Sequence, residues 1–231
     1  MTPSARDTIL NKLRASAQRP FPDAPPRPKH YHPVTIQEDE SAEALLERFT
    51  TELKNLKAEP FVVDDDAAAR TQVLALLEEH EARRIIAWDF AHIPVTGLEA
   101  AIRAAGIEIL YPDAHDDYRA EMLAAAEGAQ VGLTGADAAA ATTGTLIFTT
   151  GAGKGRIPTV LAPVHIAIIT QDQILTRIES WVARLRADAL GEFRSHANFC
   201  FVSGPSRTGD IEMELILGVH GPGRVQVVVK R

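Results

Sequence analysis

The chain is short of cysteine: its 231 residues contain one, Cys200. A single thiol forms no intrachain disulfide and builds no cysteine-rich metal site, and a reducing compartment is the natural setting for such a chain. It also lacks any apolar run of the ~20 residues that a membrane span requires. The opening Met1-Thr-Pro-Ser-Ala-Arg-Asp7 holds no apolar stretch of the kind a secretory leader carries. Together these absences predict a cytoplasmic protein. Positive charge is in deficit, with 24 Lys and Arg against 31 Asp and Glu and a net charge of −7. Broad, sequence-independent nucleic-acid binding needs a basic surface to displace counterions, so it is not expected here.

Several familiar signatures are missing too. Gly151-Ala-Gly-Lys154 fails as a phosphate loop: Gly155 follows the lysine where Ser or Thr is needed, and Phe148 holds the place of the leading glycine. The dinucleotide spacing GxGxxG breaks because its third glycine falls one residue early, and no GxSxG nucleophile elbow occurs. His30 and His32 are spaced for a metal, but no further ligand lies near them, so no metal site is expected. No internal repeat is apparent.

What is present is ordinary globular chemistry, 45% hydrophobic and 24% charged. The length suits one large domain or a domain with an appendage. A chain this long buries roughly 70% of its unfolded surface and needs no staples. Ile9, Leu10, Leu13 and Ala17 recur at helical spacing, which predicts an N-terminal helix over residues 1–18. Arg19-Pro-Phe-Pro-Asp-Ala-Pro-Pro-Arg-Pro28 follows, and its five prolines favour an extended tether rather than helix or sheet. This sets a linker over 19–35 and a main domain over 36–231.

From residue 41 helical and strand patterns alternate. Helices are predicted over 42–56, 67–79, 97–105, 116–127 and 172–186. Strands are predicted over 61–63, 84–88, 107–110, 129–134, 144–149, 165–170, 199–202 and 225–229. Helices of ten to fifteen residues between short apolar strands imply βαβ units and an α/β fold with an open, mostly parallel sheet flanked by helices.

The densest chemistry lies in Ser203-Gly-Pro-Ser-Arg-Thr-Gly-Asp-Ile-Glu212 and Gly218-Val-His-Gly-Pro222. A helix over 211–217 would be capped by Ser206 or Thr208, with Asp210 complementing its dipole. Arg207 is electrostatically misplaced there unless something negative sits beside it. Backbone amides, two hydroxyls and a guanidinium together make a carboxylate or phosphate site. The alternative is that Arg207 pairs with Asp210 or Glu212. His220, in a turn, either faces a cleft as a proton donor or acceptor or anchors the turn through a hydrogen bond. Glu212 is the other candidate for proton transfer. Thr142-Thr-Gly-Thr145 reads either as an anion-lining strand end or as a plain turn, with Asp137 a polar member of the same region. His165 on its own reads as structural, and Cys200 as inert.

Five segments carry a family resemblance: Thr134-Gly-Ala-Asp137, Ala141-Thr-Thr-Gly-Thr-Leu146, Pro163-Val-His-Ile166 and the two polar segments above, in that order. In them the chain resembles the lactate utilization protein C family (LutC/YkgG), which carries a LUD domain. The resemblance covers nearly the whole chain, with its specific motifs in residues 129–231. It implies a NagB/RpiA/CoA-transferase-like fold. It also implies a subunit of a system oxidising L-lactate to pyruvate, working with LutA- and LutB-like partners. Iron–sulfur clusters are then expected only in a partner, with no cofactor in this chain. The ligand-binding set becomes Ser206, Arg207, Thr208, Asp210, Thr143, Gly144, Thr145, Asp137 and His165, with His220 and Glu212 as catalytic candidates. One departure stands out: where the family often has glutamate, this chain has Thr142, which replaces a carboxylate as neither acid, base nor nucleophile. Two other readings stay open, a stand-alone enzyme acting on a phosphorylated or CoA-linked small molecule and a structural assembly factor. A homo-oligomer is open as well.

Overall fold

The computed structural model describes residues 4–16, 37–111, 119–209 and 215–231. The expected proline tether, Asp210 and Glu212 lie outside the described residues. The chain divides into two units, Met1–Val34 and Thr35–Arg231. In the first, α1 (Ala5–Ser16) starts at Ser4, whose hydroxyl accepts from the Asp7 amide at 3.2 Å and donates to the Asp7 carboxylate at 2.6 Å.

The second unit opens with α2 (Ala42–Asn55), capped by the Ser41 side chain, with Leu45, Leu46, Phe49 and Leu53 turned inward. Then come β1 (Glu59–Val63), α3 (Asp66–Glu79) capped by Asp65, β2 (Arg84–Ala87), α4 (Leu98–Ala104), β3 (Glu108–Leu110), α5 (Arg119–Glu127) and β4 (Val131–Thr134). The chain continues through β5 (Ala138–Ala140), β6 (Thr145–Thr149), α6 (Ile157–Val160), β7 (Val164–Thr170), β8 (Ile174–Leu175), α7 (Ile178–Ala187), α8 (Gly191–Ser195) and β9 (Phe199–Val202). It ends with β10 (Arg207–Gly209), β11 (Leu215–Leu217) and β12 (Arg224–Lys230). Among the described residues, no helix is long and apolar enough to cross a membrane.

Six strands form one sheet in the order β1-β12-β7-β4-β2-β3, every neighbouring pair parallel. The central strands β7 and β12 are buried along nearly their whole length, which is why they read as continuous apolar runs rather than alternating ones. The polar exceptions are His165 and Gln226, and the second is fully engaged. Gln226 donates to Glu59 at 3.0 Å and lies 2.9 Å from the His80 ring nitrogen. Helices α3 and α6 pack on the sheet.

The connection leaving β2 goes to β3 on one side, and the connection leaving β4 goes to β7 on the other. The carboxyl ends of β2 and β4 therefore flank a topological switch point. In open parallel sheets that is where a crevice forms and where ligands bind.

A second, mixed sheet runs β8-β5-β6-β9. Its β5 is a run of alanines, a residue with little strand preference. It is held as a strand by antiparallel pairing with β6 and parallel pairing with β8. Gly144 (φ 56°) turns the chain between β5 and β6, where a Cβ would stand 3.0 Å from the Glu52 carbonyl carbon of α2. Two expectations are corrected here. The helix expected from residue 172 begins only at Ile178, because Ile174–Leu175 pairs with β5. The helix expected over 211–217 is not what Leu215–Leu217 forms: those residues are a strand, antiparallel to Arg207–Gly209.

Candidate functional site

At the switch point three segments meet. Trp88 and Asp89 leave β2, Asp137 leaves β4 just ahead of β5, and the loop after β6 returns across them. Asp137 accepts from the Thr149 amide at 2.6 Å and the Thr149 hydroxyl at 3.0 Å on Oδ2, and from Lys154 Nζ at 2.5 Å on Oδ1. Lys154 also donates to Thr149 Oγ1 at 2.9 Å. Its side chain is only 12% exposed, and that of Asp137 is 20% exposed. The ammonium lies 5.7 Å from the centre of the Trp88 ring, within cation–π range.

The loop carrying Lys154 is tied down from beneath. Trp88 Nε1 donates to the Gly155 carbonyl at 2.8 Å, and the Asp89 amide to that of Gly153 at 2.9 Å. A His92 ring nitrogen lies 3.1 Å from the Ala152 carbonyl. Trp88 in turn packs edge-on against Phe148 at 5.8 Å.

Behind Phe148, its ring centre 5.7 Å away, sits His165, fully buried. A ring nitrogen of His165 is 2.9 Å from the Thr134 hydroxyl, and Nδ1 has no hydrogen-bond partner among the described residues. Burial alone pushes the imidazole down to about 4, so it is neutral at physiological pH.

The second polar locus lies at the far end of α2. Thr143 and Thr145 share a hydroxyl contact of 2.7 Å, and Thr145 reaches the Ser203 hydroxyl at 2.8 Å. Gly204 (φ 79°) follows, and a Cβ there would stand 2.8 Å from the Leu56 carbonyl oxygen. Arg207 donates from its guanidinium to that same Leu56 carbonyl. A cation at a helix C-terminus complements the dipole, so Arg207 does not stand at a helix start needing an anion beside it, as its sequence setting implies. Its side chain is exposed. Ser206 is held by its backbone, its amide donating to Pro222 and its carbonyl accepting from Gly218. Neither it nor Thr208 caps a helix: Thr208 is a strand residue opposite Ile216. His220 is exposed in the turn after β11.

The structure thus gathers Thr143, Gly144 and Thr145 around the α2 end near Arg207. Asp137 belongs to the switch-point cluster, and His165 is buried behind it. Lys154, Thr149, Trp88 and Ser203 were not anticipated as site residues. The lysine's signal was its glycine loop directly after an apolar strand, discounted because it fails the phosphate-loop spacing. Thr142 is buried, its amide bonded to the Thr176 carbonyl at 3.0 Å. Cys200 is half-buried, and burial raises its thiol against the opposing pull of Arg156.

Residues 46–229 match the family model of the LUD domain. The chain belongs to the LUD-domain family, among the lactate utilization C proteins. It is 32% identical to Lactate utilization protein C of Halalkalibacterium halodurans, over 97% of this chain and 96% of that one. The protein of the same name from Geobacillus sp. is 28% identical over 96% and 92%. The LUD fold is shared with a solved DUF162 family protein from Deinococcus radiodurans, with a TM-score of 0.58 and 22% identity. That match covers 84% of this chain and all of the other.

Proposed function

We propose that this LUD protein is a subunit of a system that oxidises L-lactate to pyruvate, binding a small anionic ligand beside LutA- and LutB-like partners. One observation carries the reading: proteins named Lactate utilization protein C align with it along almost their entire length. A single cysteine does not supply the four thiolates that iron–sulfur clusters commonly use. Clusters, in this reading, belong to a partner. The chain's own contribution is binding, and the topological switch point at the carboxyl ends of β2 and β4, the usual place of ligands in an open parallel sheet, supports that role.

Two measurements test it. Deleting the coding sequence should abolish growth on L-lactate and leave growth on glucose unchanged; undiminished growth on L-lactate would sink the role. In a thermal-shift screen of the purified protein, L-lactate or pyruvate should raise Tm. A ligand at 100 times its Kd stabilises by about 2.7 kcal/mol when it ignores the unfolded chain. Stabilisation by phosphate or CoA alone would instead favour a stand-alone enzyme for phosphorylated or CoA-linked molecules.

A further inference from the structure

We infer that Lys154 is the anchor of the ligand site, and that its ammonium, at the switch point between β2 and β4, takes the carboxylate of a small organic acid. The inference rests on the proposed ligand-binding role and adds a location and a chemical class. Asp137 receives three donors, the Lys154 ammonium, the Thr149 amide and the Thr149 hydroxyl. Thr149 donates its hydroxyl to Asp137 and accepts from Lys154 through the same oxygen. An ammonium has three N–H bonds. Two are spent inside this triangle, and the third has no partner among the described residues.

The acceptor side is nearly complete as well: Asp137 takes two neutral donors on Oδ2 and Lys154 on Oδ1, so the ion pair is held in place while the ammonium keeps one N–H for a further acceptor. The Trp88 ring beside that ammonium excludes water without neutralising it. In such a partly desolvated place a charge-assisted hydrogen bond is stronger than on open surface.

Position strengthens the case. The cluster stands at the switch point of a parallel sheet, built by residues from three separate connections. Its loop is short and closely packed: a Cβ at Gly153 would stand 2.8 Å from Asp89 Cβ. Backbone held this near and one open donor suit a small monocarboxylate. Arg207 offers a contrast, since it is exposed and already set against a helix-end carbonyl that repels anions.

The test is titration calorimetry with L-lactate and with pyruvate on the full chain. The variants are Lys154→Met, Lys154→Met/Asp137→Asn and Arg207→Ala. The double variant removes both charges together, so it keeps the test valid if Lys154→Met alone unfolds. A second readout uses a Trp181→Phe background, in which Trp88 is the only tryptophan and its fluorescence should change on adding L-lactate. Losing one charge-assisted bond should weaken Kd by about tenfold or more. Acid binding to the wild type with that loss in the folded double variant supports the inference. Unchanged affinity in the double variant, or a loss confined to Arg207→Ala, overturns it and leaves the lactate role standing. Absence of binding of either acid to the wild type overturns both the site and the ligand-binding part of that role, while the growth phenotype still reports on the pathway.

Discussion

Two cations, Lys154 and Arg207, stand in opposite surroundings. Arg207 lies in a segment dense with Ser, Thr, Asp and Glu, yet it is exposed and its guanidinium covers the last turn of α2. Lys154 lies in a plain glycine loop, yet it is almost enclosed, paired with Asp137 and set beside an indole. Residue types nearby in sequence therefore say little about the field a charge experiences. That field is set by which strand ends meet, and the switch point brings β2, β4 and the end of β6 to Lys154. The difference also predicts unequal energetic weight, and four perturbations test it in descending order.

Lys154→Met should have the largest effect. It strands the Asp137 carboxylate in a site 20% exposed, with only Thr149 left to compensate it. Removing one member of a fully buried pair costs about 3–5 kcal/mol. Partial exposure places this case near about 3 kcal/mol, a Tm drop of roughly 6–12 °C for a domain of this size. Adding Asp137→Asn should recover more than half of the loss. Denaturant unfolding of the three proteins checks this; a single variant as stable as wild type would put Lys154 on the same footing as Arg207.

This asymmetry also shows which parts of the molecule the sequence disclosed. The parallel sheet was readable because β7 and β12 are buried on both faces and their apolar runs are interrupted only by His165 and Gln226. Helices α2 and α3 were readable from the helical spacing of their apolar residues, Leu45, Leu46, Phe49 and Leu53 in one and Val73, Leu76 and Leu77 in the other. β5 was not, because three alanines carry no strand preference and become a strand only when β6 and β8 pair with them. β8 was absorbed into a helix because Ile174, Leu175 and Ile178 satisfy helical spacing. The strand Leu215–Leu217, paired with Arg207–Gly209, was read as part of a helix because an acidic residue, Asp210, precedes an apolar-rich stretch, as at a helix start. At the site, Asp137 was legible as a polar residue after a strand. Its partner was not, because Lys154 is 17 positions away and reaches it only through the β5–β6 pairing and the loop that follows.

The second effect concerns His165, buried behind Phe148. Its folded pKa of about 4 lies below the ordinary 6.5. The unfolded chain therefore binds the extra proton first as pH falls. Above pH 6.5 the residue is neutral in both states and contributes no pH dependence; from 6.5 down to about 4 it destabilises the fold progressively. Each pH unit in that window is worth about 1.4 kcal/mol, so roughly 2 kcal/mol should be lost between pH 7 and pH 5. His165→Gln should remove that part of the slope in denaturant titrations at the two pH values. An identical slope in the variant would mean that His165 is protonated in the fold, leaving a third cation behind the Lys154 cluster.

Gly204→Ala probes the backbone at the Arg207 locus. Its left-handed conformation costs an L-residue about 1–2 kcal/mol, and the new methyl meets the Leu56 carbonyl at 2.8 Å. A loss of that size is expected in thermal melts. A loss below about 0.5 kcal/mol would mean that the α2 end gives way, and that the contrast between a rigid Lys154 site and the α2 locus is wider still.

Arg207→Ala should be the smallest of the four. An exposed cation on a helix C-terminus is worth about 0.3–1 kcal/mol, and salt screens it. The variant should lose about 0.5 kcal/mol at low ionic strength and less at 0.5 M salt, while the Tm gain from L-lactate or pyruvate persists. The salt comparison is the sharper reading, because the Lys154 pair, being largely enclosed, should keep most of its weight under the same conditions. A loss for Arg207→Ala that rivals Lys154→Met and resists salt would show that the guanidinium works in an enclosed site after all. The ligand would then belong at the α2 end, with Thr143, Thr145 and Ser203 around it.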